Sequence, residues 1–190
     1  SLIRITGLLL VLLYHFFQTI FPGGFFGVDV FFTFSGFLIT ALLIEEFSKS
    51  HEIDLVGFFR RRFYRIVPPV VLMVLVTMPF TFLVRQDYVA GIGGQIAGVL
   101  GFMTNFYELL TGGSYESQFI PHLFVHNWSL AVEVHYYILW GLAVWFLSKQ
   151  SKSNGQLRGM VFLLSAAAFL ISCFSMFIGS FVVTSYYSVY

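Results

Sequence analysis

Charge is what this sequence has least of. Only 10% of its 190 residues are Asp, Glu, Lys or Arg, against roughly 25% in an average soluble domain. Cysteine occurs once, as Cys173, which excludes a disulfide framework and a Cys-based metal site. Its apolar neighbours predict a small buried thiol. The formal net charge of +1 gives no electrostatic case for nucleic acid. The chain opens Ser1-Leu2-Ile3-Arg4 without Met and stops at Tyr190 in an apolar run, so both ends are expected to be cuts in a longer protein. No small-residue cleavage site follows the first apolar stretch, which argues against a cleavable signal.

What fills the sequence is hydrocarbon. Hydrophobic residues make up 58% and aromatics 20%, with 25 Phe, and the mean hydropathy is +0.85. A soluble core of this size could not hide that much apolar surface, so lipid is the expected solvent. A crossing helix needs about 20 largely apolar residues. Such runs lie at about 4–21, ended by Pro22-Gly23-Gly24; from Phe25 to Ile44; at about 67–84, opened by Pro68-Pro69; from His122 or Asn127 to Leu147; and from Gly159 to at least Val183. The expected fold is therefore all-α, a polytopic transmembrane helical bundle of about five spans. Residues 1–190 would form part of one membrane domain.

Two polar loops set the orientation. Residues 45–65, EEFSKSHEIDLVGFFRRRFYR, hold Lys49, Arg60, Arg61, Arg62 and Arg65, with Leu55, Phe58, Phe59 and Phe63 interleaved as in an interfacial amphipathic helix. Residues 149–158 hold Lys149, Lys152 and Arg158 and no acid. Short basic loops stay in the cytoplasm. If both do, residues 85–121 cannot contain one full crossing. The apolar stretch 93–110 then reads as a short or re-entrant helix, with Arg85, Asp87, Glu108 and Glu116 on the outer side.

Ionisable groups inside apolar segments are costly and are functional candidates. Here they are Arg4, His15, Asp29 and Glu133. Arg4 and His15 are separated by about three helical turns, roughly 16 Å, and share one face. That places a guanidinium near the inner surface and an imidazole near mid-membrane; a topological anchor plus a hydrogen-bonded His explains the pair about as well. In GVDVFFTFSGFLI, Gly27 and Gly36 permit close helix contact and Ser35 offers a hydroxyl. Asp29 could pair with an Arg or orient His15.

The segment HNWSLAVEVHYYILW gathers polar groups at a helix start, where Asn127 or Ser129 could cap. Ser129, Glu133 and Tyr137 recur every four residues, and His126 lies seven before Glu133, so all share a face. A Glu and a His brought together can make a general base. Trp128, Tyr136 and Trp140 read as interfacial belt aromatics. His122, His126 and His135 give only a weak metal signal, and no metal is expected. Arg62 and Arg65, with Arg61 beside them, suit phosphate; anionic lipid explains such a cluster about as often.

In this order and spacing the motifs resemble a known family of membrane acyltransferases, acyltransferase-3. The matches are Arg4 and His15, the run GVDVFFTFSGFLI, Arg62-x-x-Arg65 before Pro68-Pro69, and NWSLAVE with Glu133. Within the family the chain is similar to the membrane portion of streptococcal-type peptidoglycan O-acetyltransferases. His135-Tyr136 departs from the Gln-Phe of many members.

The resemblance implies acetyl-coenzyme A as cytoplasmic donor and an envelope glycan hydroxyl as acceptor, the muramic-acid hydroxyl among closer members, in the bacterial plasma membrane. It makes His15 the acyl-handling base, Glu133 its partner and Arg4 part of the same motif. It puts Arg62 and Arg65 on donor phosphates. It also implies further spans and a soluble domain that passes the acetyl group on, neither of them in this sequence. Acetylation of another envelope polysaccharide fits the same motifs. A proton-coupled transporter using Arg4, His15, Asp29 and Glu133 is the reading from another class, though no internal repeat supports it.

Overall fold

A computed structural model describes residues 2–17, 19–20, 23, 26–83, 89, 91–111 and 122–187, with the side chains of 2–4, 15, 82 and 181–187 outside the description. Pro22 and Gly24 at the end of the first span, Arg85, Asp87 and Glu116 thus lie outside the described residues. The rest is helical: α1 (Leu2–Phe16), α2 (Phe26–Ser50), α3 (Leu55–Thr77), α4 (Ile92–Leu100), α5 (Thr104–Thr111), α6 (Trp128–Gln150) and α7 (Asn154–Tyr187). Four of these, carried by α2, α3, α6 and α7, are long and apolar enough to cross a membrane. The protein is a helical membrane protein. The expected first span is present as the shorter α1, and 92–111 form two short helices joined by a turn at Gly101–Met103, neither long enough to cross.

The third span departs most from expectation. Pro68 and Pro69 do not open it; they lie inside α3, which runs unbroken from the arginine cluster into the apolar stretch. Asp54 caps its start by accepting a hydrogen bond from Gly57 N at 2.9 Å. Two prolines remove two helical N–H donors, a loss tolerated in membrane helices where neighbours hold the segment in place.

The chain forms two compact units, Ser1–Thr40 with Asp54–Leu142, and Ala41–Ile53 with Ala143–Tyr190. In the first, α1 meets α2 where Gly7 faces Gly27; a methyl on Gly27 would stand 2.5 Å from Gly7 O and 2.9 Å from Val11 Cγ2. Gly7 also abuts Phe31. This register sets the backbone at position 4 beside the first half of α2. The small residues of the GVDVFFTFSGFLI run thus serve close approach, as expected. Further along α2, Phe32 meets the Trp128 ring edge-on at 6.4 Å, Gly36 faces the Tyr136 hydroxyl, and Thr40 Oγ1 accepts from Trp140 Nε1 at 2.8 Å. These α6 aromatics make interhelical contacts to α2.

Helix α3 runs antiparallel to α6, with Phe58 against Gly141, Arg62 over Tyr137 and Met73 beside Asn127. The α4–α5 hairpin packs on the later half of α3 through a core of Val70, Val74, Val99 and Phe124. Tyr107 lies along Gly91, Gly94 and Gly98 of the hairpin; a Cβ would stand 2.8 Å from its hydroxyl at Gly91 and 2.8 Å from its ring at Gly94, and in ordinary contact at Gly98.

In the second unit, Asn154 Nδ2 donates to Ser48 Oγ at 2.9 Å and Lys149 Nζ stands 3.8 Å from Glu52. The 45–53 and 149–158 stretches therefore share one end of this unit. Cys173 is not buried; it is exposed on α7, whose apolar side chains from Phe162 to Ile178 are largely exposed too. Single cysteines at Ser50 and Ser153 (Ser50→Cys, Ser153→Cys), in a Cys173→Ala background, should both resist an impermeant thiol reagent in intact cells. Rapid labelling at Ser153 alone would mean that 92–111 crosses the membrane.

Candidate active site

On α6, Glu133 is 6% exposed, and the Tyr137 hydroxyl one turn on donates to its Oε1. The four-residue spacing read from the sequence is thus a hydrogen bond. The Arg62 guanidinium lies 5.6 Å above the Tyr137 ring and 5.5 Å from the Phe58 ring, close enough for cation–π attraction. A continuous line runs from the α3 arginine cluster through the Tyr137 ring to the Glu133 carboxylate. It borders a cavity of about 360 Å³ whose walls include Phe59, Arg62 and Ile66 of α3, Phe102 of the hairpin turn, and Val134 and Tyr137 of α6. The lining is apolar apart from one guanidinium and one phenol, so Arg62 is the group there able to hold an anion.

Other expected site residues are more scattered. Arg61 and Arg65 are exposed on α3, and only Arg62 lines the cavity. Ser35 is 1% exposed inside the α2 packing, whereas Asp29 is exposed. Asn127 Nδ2 donates to Phe124 O at 3.3 Å and Ser129 Oγ to His126 O at 3.3 Å. Both reach back to the preceding turn instead of accepting from α6 N–H groups. Positions 4 and 15 share a helical face with Gly7 and Val11, the residues that meet α2, within an arc of about 80°. The side chains of Arg4 and His15 lie outside the described residues, so their distance to Glu133 does too.

The three candidate histidines go separate ways. His122 pairs with Glu108, His135 packs against the Phe106 ring at 5.6 Å, and His126 is exposed. Among the described residues no three His, Cys, Asp or Glu side chains gather as a metal site requires. The Glu108–His122 pair escaped the sequence reading, because 14 residues separate its members and no helical spacing joins them.

A helical membrane bundle with a buried, tyrosine-held glutamate beside an arginine-walled apolar cavity is a frame suited to moving an acyl group. The acyltransferase-3 profile, described as an acyltransferase domain, matches residues 1–190, and the chain belongs to that family. Among curated proteins it is 33% identical over 142 residues to O-acetyltransferase OatA of Staphylococcus aureus strain NCTC 8325, covering 75% of this chain and 24% of the relative. The protein of the same name from strain COL matches to the same extent. The chain thus spans about a quarter of the length of these relatives. No solved structure matches it.

Proposed function

We propose that this chain is part of a plasma-membrane O-acyltransferase that carries an acetyl group from cytoplasmic acetyl-coenzyme A toward an envelope glycan hydroxyl, with peptidoglycan muramic acid as acceptor. The observation that carries this reading is the buried Glu133–Tyr137 pair beside the Arg62-walled cavity, in a chain related to proteins named O-acetyltransferase. In this scheme Arg62, with Arg65 and Arg61 on the exposed side of α3, holds donor phosphates by charge-assisted hydrogen bonds. The apolar wall accommodates the thioester arm and keeps water from the thioester. Glu133 is the partner of the His15 base, and Arg4 completes that motif. Membrane lipid surrounds the helices, and a soluble domain or partner passes the acetyl group on to the glycan.

The test is acetyl transfer by the full-length protein in proteoliposomes, given acetyl-coenzyme A and defined glycans. Ester formation on muramic acid is the expected result. Ester on another polysaccharide would move the acceptor, and donor-independent solute flux would favour a transporter. The arginines are tested separately. Arg62→Lys/Arg65→Lys should weaken acetyl-coenzyme A binding by about tenfold or more, since each lost charge-assisted bond is worth roughly 1.5–3 kcal/mol and Lys lacks the planar fork that stacks on Tyr137. Unchanged donor affinity would leave the cluster as a lipid anchor.

A further inference from the structure

Among the described residues the buried carboxylates are Glu133 and Glu108, and the scheme above gives Glu108 no task. Its Oε2 stands 2.9 Å from His122 Nδ1. The two come from different elements, Glu108 from α5 and His122 from the stretch leading into α6. The Tyr107 ring packs 5.5 Å from the imidazole. Two residues on, Phe124 is fixed from both sides: its N–H donates to the buried Gln95 Oε1 at 3.3 Å, and its ring sits in the Val70–Val74–Val99 core. The imidazole is therefore held at one nitrogen by a carboxylate. Its side chain remains 17% exposed, against 9% for the glutamate. With Glu108 accepting from Nδ1–H, Nε2 carries the free lone pair, the arrangement of a general base.

The pair is also displaced from the donor groups. Its neighbour Phe124 shares a core with Val70 and Val74, which lie roughly 12 to 18 Å along α3 from Arg62 at 1.5 Å per residue. If Arg62 marks the donor side, this pair lies toward the other face of the bundle.

We propose that His122, positioned by Glu108, is the base for the hydroxyl that first receives the acetyl group, apart from the arginines that hold the donor phosphates. The inference rests on the acyl-transfer reading above. In the step, the hydroxyl of the relaying domain or partner gives its proton to His122 Nε2 as its oxygen bonds to the acetyl carbonyl carbon. The bond from that carbon to the thioester sulfur then breaks, and the sulfur leaves with the proton from Nε2. Glu108 stays ionised and holds the imidazolium between the two transfers.

The experiment uses the full-length protein in proteoliposomes, with acetyl-coenzyme A and a muramic-acid glycan, and reads donor affinity, thermal unfolding and acetyl transfer. His122→Gln retains an N–H for Glu108 but has no basic nitrogen. It should lose transfer about 100-fold or more with donor affinity and unfolding temperature unchanged. Glu108→Gln still accepts from Nδ1–H without the charge, and should lower kcat about tenfold with little change in the KM for glycan. Wild-type transfer in His122→Gln would overturn the proposal. So would a loss that tracks falling donor affinity and stability in both variants, because that marks a structural tie between α5 and α6. Failure of the wild-type protein to transfer acetyl would instead sink the acyl-transfer reading, and this proposal with it.

Discussion

Glu133→Gln is expected to lower acetyl transfer by about 100- to 10,000-fold, the range over which a positioned acid–base group acts, without unfolding the protein. Gln matches Glu in shape and keeps a carbonyl oxygen for the Tyr137 hydroxyl, so the α6 packing survives while the charge is lost. Tyr137→Phe should cost less, about tenfold, because the ring stays beneath Arg62 and only the hydroxyl that orients the carboxylate disappears. His15→Ala should resemble Glu133→Gln, with donor binding kept and transfer lost. The check is donor affinity and transfer rate side by side, with monodispersity in detergent as the fold control. Undiminished transfer in well-folded Glu133→Gln would remove the carboxylate from the chemistry.

Gly27→Val should have the largest structural effect. The space for its Cβ is already taken by Gly7 O at 2.5 Å and Val11 Cγ2 at 2.9 Å. A backbone oxygen cannot rotate away as a side-chain tip can, so α1 must move bodily. Overpacking of this kind costs about 1–3 kcal/mol or more. Because α1 carries Arg4 and His15, transfer should fall further than stability alone accounts for. Gly36→Ala meets the Tyr136 side chain, its hydroxyl nearest at 3.2 Å, and should be milder. Gly159→Ala, with nothing within 4 Å, should be neutral. Thermal unfolding of the three variants in detergent, beside their transfer rates, decides the matter. A Gly27→Val protein as stable and active as Gly159→Ala would show that the α1–α2 crossing is not tightly constrained.

Spanning segments were legible because each needs only a long apolar run, and the Glu133–Tyr137 bond because four-residue spacing implies neighbours on a helix. Other features depend on partners that no local pattern names. Pro68-Pro69 reads as a helix start by its missing N–H groups, yet tertiary packing carries α3 through it. Trp140 has the composition of a belt residue; its bond to Thr40 depends on how α2 lies on α6. Cys173 was expected inside because its neighbours are apolar, but on α7 apolar neighbours mark the outer surface. Glu108 and His122 meet only after the hairpin has folded back, a long-range event to which neither periodicity nor composition responds.

Phe102, at the tip of that hairpin, has a backbone φ of +54°, a region where side chains other than glycine are uncommon. Its turn keeps α4 and α5 from fusing. A single helix over 92–111 would be about 30 Å long at 1.5 Å per residue, the thickness of a bilayer's hydrocarbon. It would add one crossing and invert the parity of the chain. Every later segment would then emerge on the opposite side of the membrane. A turn in a hairpin too short to traverse the membrane thus bears on which side each later segment emerges.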